Sequence, residues 1–297
     1  MNDLISVIMS TYNESITEIQ ESVNSILNQS YSNIEFIIVI DNPNNIQLIK
    51  CLQAFDDPRI RIIKNKENIG LVKSLNKAIS FSNGKYIARM DADDISELDR
   101  LEYQKKILDK RNLDLIGGNI NLVDENGEYI SKLHFPSYQW LIYIFLKWGN
   151  CIPHPTWLVK KEVYTRLNGY RNIPRCEDYD FICRVLQQKF KIGNVERVVL
   201  NYRIRPDSIS NSNKAAQYVL RRFIAKNRKK LFPEIKIASY LDSELFEKEI
   251  AEYESFQILK NKSREHPSIK RIIRLCFNRN TYALGCEKIS LKIRNFL

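Results

Sequence analysis

Two acidic clusters are the places where side-chain types and spacing point to chemistry. Asp91-Ala92-Asp93-Asp94 sets three carboxylates within four residues. Like charges that close repel one another unless a cation compensates, and a hard divalent cation does so through oxygen ligands. Asp94 is also placed to act only as the N-cap of a following helix. Glu177-Asp178 forms the second cluster. Acids there favour the dipole of a helix start, and either one is also a candidate general base. Magnesium and manganese bind through one or two carboxylates plus substrate phosphate oxygens, so the first cluster implies a phosphate-bearing ligand. The chain has no G-x-x-x-x-G-K-[ST] loop and no G-x-G-x-x-G fingerprint, which argues against P-loop NTPases and dinucleotide dehydrogenases. A metal–diphosphate site without those loops suits a nucleotide-sugar transferase.

The elements that must position these residues alternate. Leu4–Ser10 is an apolar run suited to a strand buried on both faces. Ile16, Ile19, Val23, Ile26 and Leu27 keep one helix face apolar. Strands at residues 34–40, 59–64 and 85–90 then alternate with helices at 45–55 and 71–81. This rhythm implies a mostly parallel sheet covered on both faces, with ligands at the carboxyl ends of its strands. Those ends are polar: Ser10-Thr11-Tyr12-Asn13-Glu14, Asp41, Asn65 with Asn68-Ile69-Gly70, and the acidic cluster. A helix is expected at 97–111, a strand pair or bend around Gly117-Gly118, and a turn at 125–128. A strand at 157–160, a helix at 177–188 and a strand at 191–200 complete the first unit. The aromatic stretch 140–148 reads as a core helix, since nine residues are too few to span a bilayer.

The chain has 297 residues, of which 44% are hydrophobic and 27% charged. This is a globular composition. Its six cysteines form no Cys-x-x-Cys pair, which fits a reduced compartment and gives no structural zinc signature. The start lacks the basic and apolar pattern of a signal peptide. Positive charge is concentrated late: residues 208–297 carry 19 Lys and Arg against 9 Asp and Glu, a net of +10 out of +11 overall. The expected division is a near-neutral domain at 1–207 and a helical, basic region at 208–297. The latter should meet something anionic, a membrane surface above all, or form a contact between copies in a homo-oligomer.

Across residues 4–210 the sequence resembles the family-2 glycosyltransferases, inverting enzymes of the GT-A fold that build bacterial capsule, exopolysaccharide and lipopolysaccharide chains. The matching segments, in order, are SVIMSTYNE, IEFIIVIDN, NIGLVKSLNKAI, ARMDADDISELDRLEYQ, CIPHPTWLVKKEVYTRLNGY with CEDYDF, and YRIRPDSIS. The resemblance implies that Thr11, Tyr12, Glu14 and Asn68 border the nucleotide and that Asp41 accepts from its uracil. It implies that Asp91 contacts the ribose or stands just behind the residues that do, that Asp93 binds a manganese or magnesium ion on the diphosphate, and that Arg205 or Arg203 faces that diphosphate. Asp178 would be the base and Glu177 would position the acceptor. The chain departs from the family at Asp41-Asn42-Pro43, where an Asp-Asp pair and a Gly or Ser turn are usual, and at Arg205, where His is common. Arginine keeps a permanent charge suited to phosphate.

The function implied is transfer of a sugar from a UDP-sugar to a glycan, lipid-linked and built at the inner face of the cell membrane. A nucleotidyltransferase would want a Gly-rich basic loop after the first strand, which Ser10–Glu14 does not provide. A nucleic-acid-binding protein would account for the basic end of the chain, but no reader motif accompanies it, so no nucleic-acid partner is expected. His154 reads as a buried histidine bonded to backbone rather than a ligand to metal or acceptor. Cys176 lacks a His partner for nucleophilic catalysis.

Overall fold

The structure, a computed structural model, describes residues 3–173, 175–205, 214–228 and 234–265. Its first half is a run of strand–helix units: β1 (Ile5–Thr11), α1 (Ile16–Leu27), β2 (Ile34–Ile40), α2 (Ile46–Gln53), β3 (Ile60–Lys64), α3 (Leu71–Phe81) and β4 (Tyr86–Arg89). The strands pair in parallel in the order β3-β2-β1-β4, with Thr11 opposite Ile40 and Ile8 opposite Arg89. Their carboxyl ends therefore fall on one edge of the sheet. Side-chain alternation splits the core into two layers. Val7, Met9, Phe36 and Ile38 join α1 and α2 on one face, while Ile8, Ile37 and Val39 meet α3 on the other. A run of apolar residues on every strand is what this double coverage requires.

The second half adds β5 (Ile95–Ser96), α4 (Arg100–Lys110), β6 (Leu115–Val123), β7 (Tyr129–Leu133), α5 (Gln139–Phe145), β8 (Leu158–Lys160), α6 (Lys161–Leu167), α7 (Glu177–Gln187) and β9 (Ile192–Arg203). The sheet continues from β4 through β8, β6 and β9 to β5. The β4–β8, β8–β6 and β9–β5 pairs are antiparallel, whereas β6–β9 is parallel. The sheet is thus mixed. Strand β6 has β9 along one side and shares its other side between β8 and β7.

Three local expectations change. Gly117-Gly118 makes no bend between strands: both lie within β6, whose pairing with β9 shifts register just after Gly118, and a Cβ at Gly117 would stand 2.4 Å from Ile152 Cγ2. Asp94 does not cap a helix, since α4 starts six residues later and the Asp94 carboxylate accepts instead from Arg203 N at 2.9 Å. The 140–148 stretch is half core only. Ile142 and Phe145 are buried, while Trp140, Tyr143 and Ile144 face outward.

Three further helices follow: α8 (Lys214–Asn227), α9 (Glu234–Leu241) and α10 (Glu244–Glu265). Their buried residues Tyr218, Val219, Ile224, Ile237, Tyr240 and Phe246 belong to the same hydrophobic cluster as α5 and α7. Basic charge is uneven among them. Helix α8 carries Lys214, Arg221, Arg222 and Lys226 with no acid, whereas the first half of α10 holds Glu244, Glu247, Glu249, Glu252 and Glu254 against Lys248. Lys229, Lys230 and the Lys270-Arg271 cluster lie outside the described residues.

Candidate active site

A cleft of about 560 Å³ opens at the carboxyl edge of β1, β2 and β4 and runs to the start of α7. Ten of the eleven residues expected at a site line it: Thr11, Tyr12, Glu14, Asp41, Asn68, Asp91, Asp93, Glu177, Asp178 and Arg205.

The β1 end is held by its own acid. Glu14 Oε2 accepts from Thr11 Oγ1 at 2.5 Å and from Tyr12 N at 2.8 Å, leaving the Tyr12 ring exposed at the rim. At the β2 end, buried Asp41 ties down the next loop. Its Oδ1 accepts from Asn65 Nδ2 and Ile69 N, and its Oδ2 from Gly70 N, at 2.8–2.9 Å. Gly70 holds φ +84°, a conformation that favours glycine. Asn68 Oδ1 accepts from the same Gly70 N. Three of the four lone-pair sites of Asp41 are filled, so Oδ2 keeps one toward the cleft.

The β4 end carries the acidic cluster and its counter-charges. Buried Arg89 pairs with Asp91, and Arg205 Nε stands 2.9 Å from Asp93 Oδ2. Arg205 also reaches Glu18 at 3.4 Å. Glu18 is already fixed by the capping box of α1, in which Ser15 N donates to its carboxylate at 2.7 Å and Ser15 Oγ accepts from Glu18 N. Burial, then the charges of Asp91 and Glu14, push the Asp93 carboxyl up to about 7. Burial pushes Asp94 well above the usual carboxylate range as well, and Asp94 Oδ2 is buried with no hydrogen-bond partner among the described residues.

Arg203 is the eleventh residue, and it does not reach the cleft. Its guanidinium binds Asp93 O, Glu125 O and Glu21 Oε2 at 2.5–2.9 Å. These bonds staple β9 to the acidic loop and the β6–β7 turn, so Arg203 positions the cluster from behind. Arg205, two residues on and past the end of β9, lines the cleft.

The far wall is the start of α7. Cys176 precedes it without a side-chain cap, and its buried thiol points to Gln217 O at 3.8 Å. Desolvation and then the adjacent Asp178 push Glu177 up to about 7. Desolvation also raises Asp178, opposed by hydrogen bonds to its charged form from Asn150 Nδ2 at 2.7 Å and Tyr179 N at 2.6 Å. His154 is buried, but its Nε2 meets Tyr170 Oη at 2.8 Å rather than backbone. Burial and then the charge of Arg89 push it well below its usual range, so it stays neutral. Tyr170 Oη continues to Tyr164 Oη at 2.9 Å.

Sequence reasoning did not single out Arg89, Arg175, Tyr202 and Gln217, which also line the cleft. Arg89 was legible as the lone charge inside the buried strand before Asp91. Gln217 arrives from α8, which no local pattern foretells.

The family model for glycosyl transferase family 2 matches residues 6–178. The chain belongs to that family. This glycosyltransferase is 35% identical over 231 residues to the O-antigen biosynthesis glycosyltransferase WbnJ of Escherichia coli, covering 75% of this chain and 90% of that one. It is 33% identical over 123 residues to an E. coli UDP-Glc:alpha-D-GlcNAc-diphosphoundecaprenol beta-1,3-glucosyltransferase, WfgD, over 41% of this chain and 48% of the relative. Its fold is like that of S. aureus TarS, solved with UDP, at a TM-score of 0.56 and 17% identity, over 78% of this chain and 68% of the other. The mixed sheet flanked by helices is thus the expected GT-A architecture.

The acidic residues of the glycosyltransferase also fit a divalent cation. Asp91 and Asp93 offer hard oxygen donors in the cleft, and the charges of Asp91 and Glu14, which add to burial in raising the Asp93 carboxyl, are ones a cation would offset. Among the described residues no group of three or more His, Cys, Asp or Glu converges as a cage. That suits a cation whose remaining positions are taken by a diphosphate and water.

Proposed function

We propose that this glycosyltransferase moves a sugar from a UDP-sugar to a hydroxyl of a lipid-linked glycan, with inversion, in the building of a bacterial surface polysaccharide at the inner face of the membrane. One observation supports this reading most. The Asp91–Asp93 segment and the Glu177–Asp178 pair, 84 or more residues apart in sequence, line the same cleft. A single displacement needs both in one place, a seat for the leaving diphosphate and a carboxylate to take the acceptor's proton. The O-antigen role of WbnJ, the UDP-glucose-dependent transfer by WfgD and the UDP bound to TarS agree with it.

In this reading Asp41 accepts from the uracil through its remaining Oδ2 lone pair, and Thr11, Tyr12, Glu14 and Asn68 border the nucleoside. Asp91, already paired with Arg89, faces the ribose. A cation held at Asp93, when bound, supplies positive charge to the diphosphate. Arg205 supplies the fixed charge there. The acceptor oxygen attacks the anomeric carbon while its proton passes to the Asp178 carboxylate. The bond to the diphosphate breaks and its electron pair leaves with UDP. Glu177, protonated near neutral pH, donates to an acceptor hydroxyl and orients it.

Titration with UDP, with and without manganese, and with single-stranded DNA as the control ligand, tests the donor site. Mass analysis of products from a panel of UDP-sugars with a lipid-linked acceptor tests the transfer. DNA binding without UDP binding would defeat the reading.

A further inference from the structure

Outside the cleft, the molecule holds a second cavity of about 670 Å³ between the end of α5 and helices α8–α10. Among the described residues its lining includes Lys147, Arg222, Lys226 and Arg228, with Glu249 as the one acid. Glu249 is engaged by Tyr240 Oη at 2.5 Å. The wall therefore carries a net of three positive charges around a rim that opens to solvent.

The cavity does not stand alone. Trp140, Tyr143, Ile144 and Lys147 follow one another at helical spacing on the outer side of α5. Trp140 is 63% exposed, and Tyr143 and Ile144 are each 41% exposed. The Arg228 guanidinium lies 5.6 Å from the Tyr143 ring, so the basic wall and the aromatic face are one continuous surface. A Trp and a Tyr beside an aliphatic residue, bordered by lysine and arginine, match the layering of a bilayer interface.

We infer that the outer face of α5 and the basic cavity beside it form a docking surface for the phosphate headgroups of anionic lipid. In this geometry Trp140, Tyr143 and Ile144 enter the headgroup boundary, and Lys147, Arg222 and Lys226 meet the phosphates. No described helix is long and apolar enough to cross a membrane, so attachment through such a face is the mode these residues support. The surface also sits beside the chemistry. Lys147 lines the cavity, and Asn150, three residues later, donates to Asp178. Tyr179 Oη, at the start of α7, donates to Leu146 O. Docking there brings the base close to the lipid surface. This last step rests on the proposed lipid-linked acceptor, whereas the affinity for lipid does not.

Vesicle co-sedimentation of the full chain tests the surface, with phosphatidylglycerol in phosphatidylcholine compared against phosphatidylcholine alone. Binding is expected only to the anionic vesicles and to weaken with salt. Each basic residue near such a surface accounts for about fivefold in affinity, so the double variant Arg222→Gln, Lys226→Gln should lose about 25-fold while keeping its UDP affinity. Tryptophan emission should shift to the blue when anionic vesicles are added. Trp140→Phe should abolish that shift, because Trp157 is buried and Trp148 packs against the core. Equal binding to neutral vesicles, a double variant that binds like the wild type, or a blue shift that survives Trp140→Phe would each overturn the proposal. A dimer dispersed by Trp140→Ser would assign the face to a second copy and overturn it as well. Vesicle binding without UDP binding would leave the surface standing and remove the transferase reading instead.

Discussion

Asn150 donates through Nδ2 to Asp178 Oδ2 at 2.7 Å, tying the loop after α5 to the base-bearing end of α7. The orientation of the amide is set by its other end, since Asn150 Oδ1 accepts from Ile152 N at 3.0 Å. A carboxylate that accepts such a bond is held toward its charged form against desolvation. Desolvation still leaves the Asp178 carboxyl raised, and Asn150, 28 positions away, opposes that rise.

Removing either partner gives separable results. Asp178→Asn cannot take a proton, and transfer should fall by about 10²–10⁴ with UDP affinity nearly intact. Asn150→Ala removes a bond that lowers the Asp178 pKa, so that pKa rises further. The acid limb of the kcat/KM profile should then move to higher pH, with most activity recovered at alkaline pH. A limb that stays in place in Asn150→Ala would show that Asp178 is not the titrating base.

Asp93 is the residue on which metal dependence should turn. Manganese should tighten UDP binding to the wild type and leave Asp93→Asn unaffected, as isothermal titration at fixed pH would show. Asp93→Asn should also abolish transfer. Equal UDP affinity with and without manganese in the wild type would remove the cation from the site.

Much of this was legible in the residues. The parallel strands announced themselves by continuous apolar runs, and α1 by its apolar face at helical spacing, because both signals are local. The polar strand ends gave most of the cleft for the same reason. What was not legible depended on long-range contact. Arg203 and Arg205 look equivalent in sequence, and only the packing of β9 against the Asp93 loop turns one into a staple and leaves the other facing the ligand. The glycine pair in β6 reads as a strand pair or bend, yet Gly117 meets the close approach of Ile152, 35 residues on, and Gly118 that of Val195 and Val199. The antiparallel β7 is short and was not expected, and β8, expected as a strand at 157–160, gave no local sign that it runs antiparallel to β4 and β6. The basic end of the chain hid an acidic half of α10 within its net charge.

Glu177 should make stability depend on pH in a defined sense. Its carboxyl is raised from 4.5 to about 7 in the folded protein. Between those values the folded state binds more protons than the unfolded state, so stability falls as pH rises through the window. Glu177→Gln removes that loss. The variant should match the wild type in melting temperature near pH 4 and exceed it at pH 8, by up to about 3 kcal/mol, or roughly 6–12 °C at 2–4 °C per kcal/mol. A gain at pH 8 that is no larger than at pH 4 would show that burial of this acid carries no such penalty.

The last expectation concerns Gly117, where the sequence invites the wrong reading. Its φ is not in the left-handed region, so the reason for glycine is space rather than backbone conformation. A Cβ there would lie 2.4 Å from Ile152 Cγ2, 2.7 Å from Asn194 Oδ1 and 2.8 Å from Thr156 Oγ1. None of these can retreat easily. Ile152 is in the core, Asn194 Nδ2 bridges Pro136 O and Cys151 O, and Thr156 Oγ1 donates to Pro153 O. Overpacking of this kind costs about 1–3 kcal/mol. Gly117→Ala should lower the urea midpoint accordingly. Because Ile152 and Pro153 lead directly to His154 in the cleft wall, kcat should also fall more than UDP affinity. A Gly117→Ala variant with wild-type stability would mean that β6 bends away from that loop after all, as the glycine pair suggests on its own.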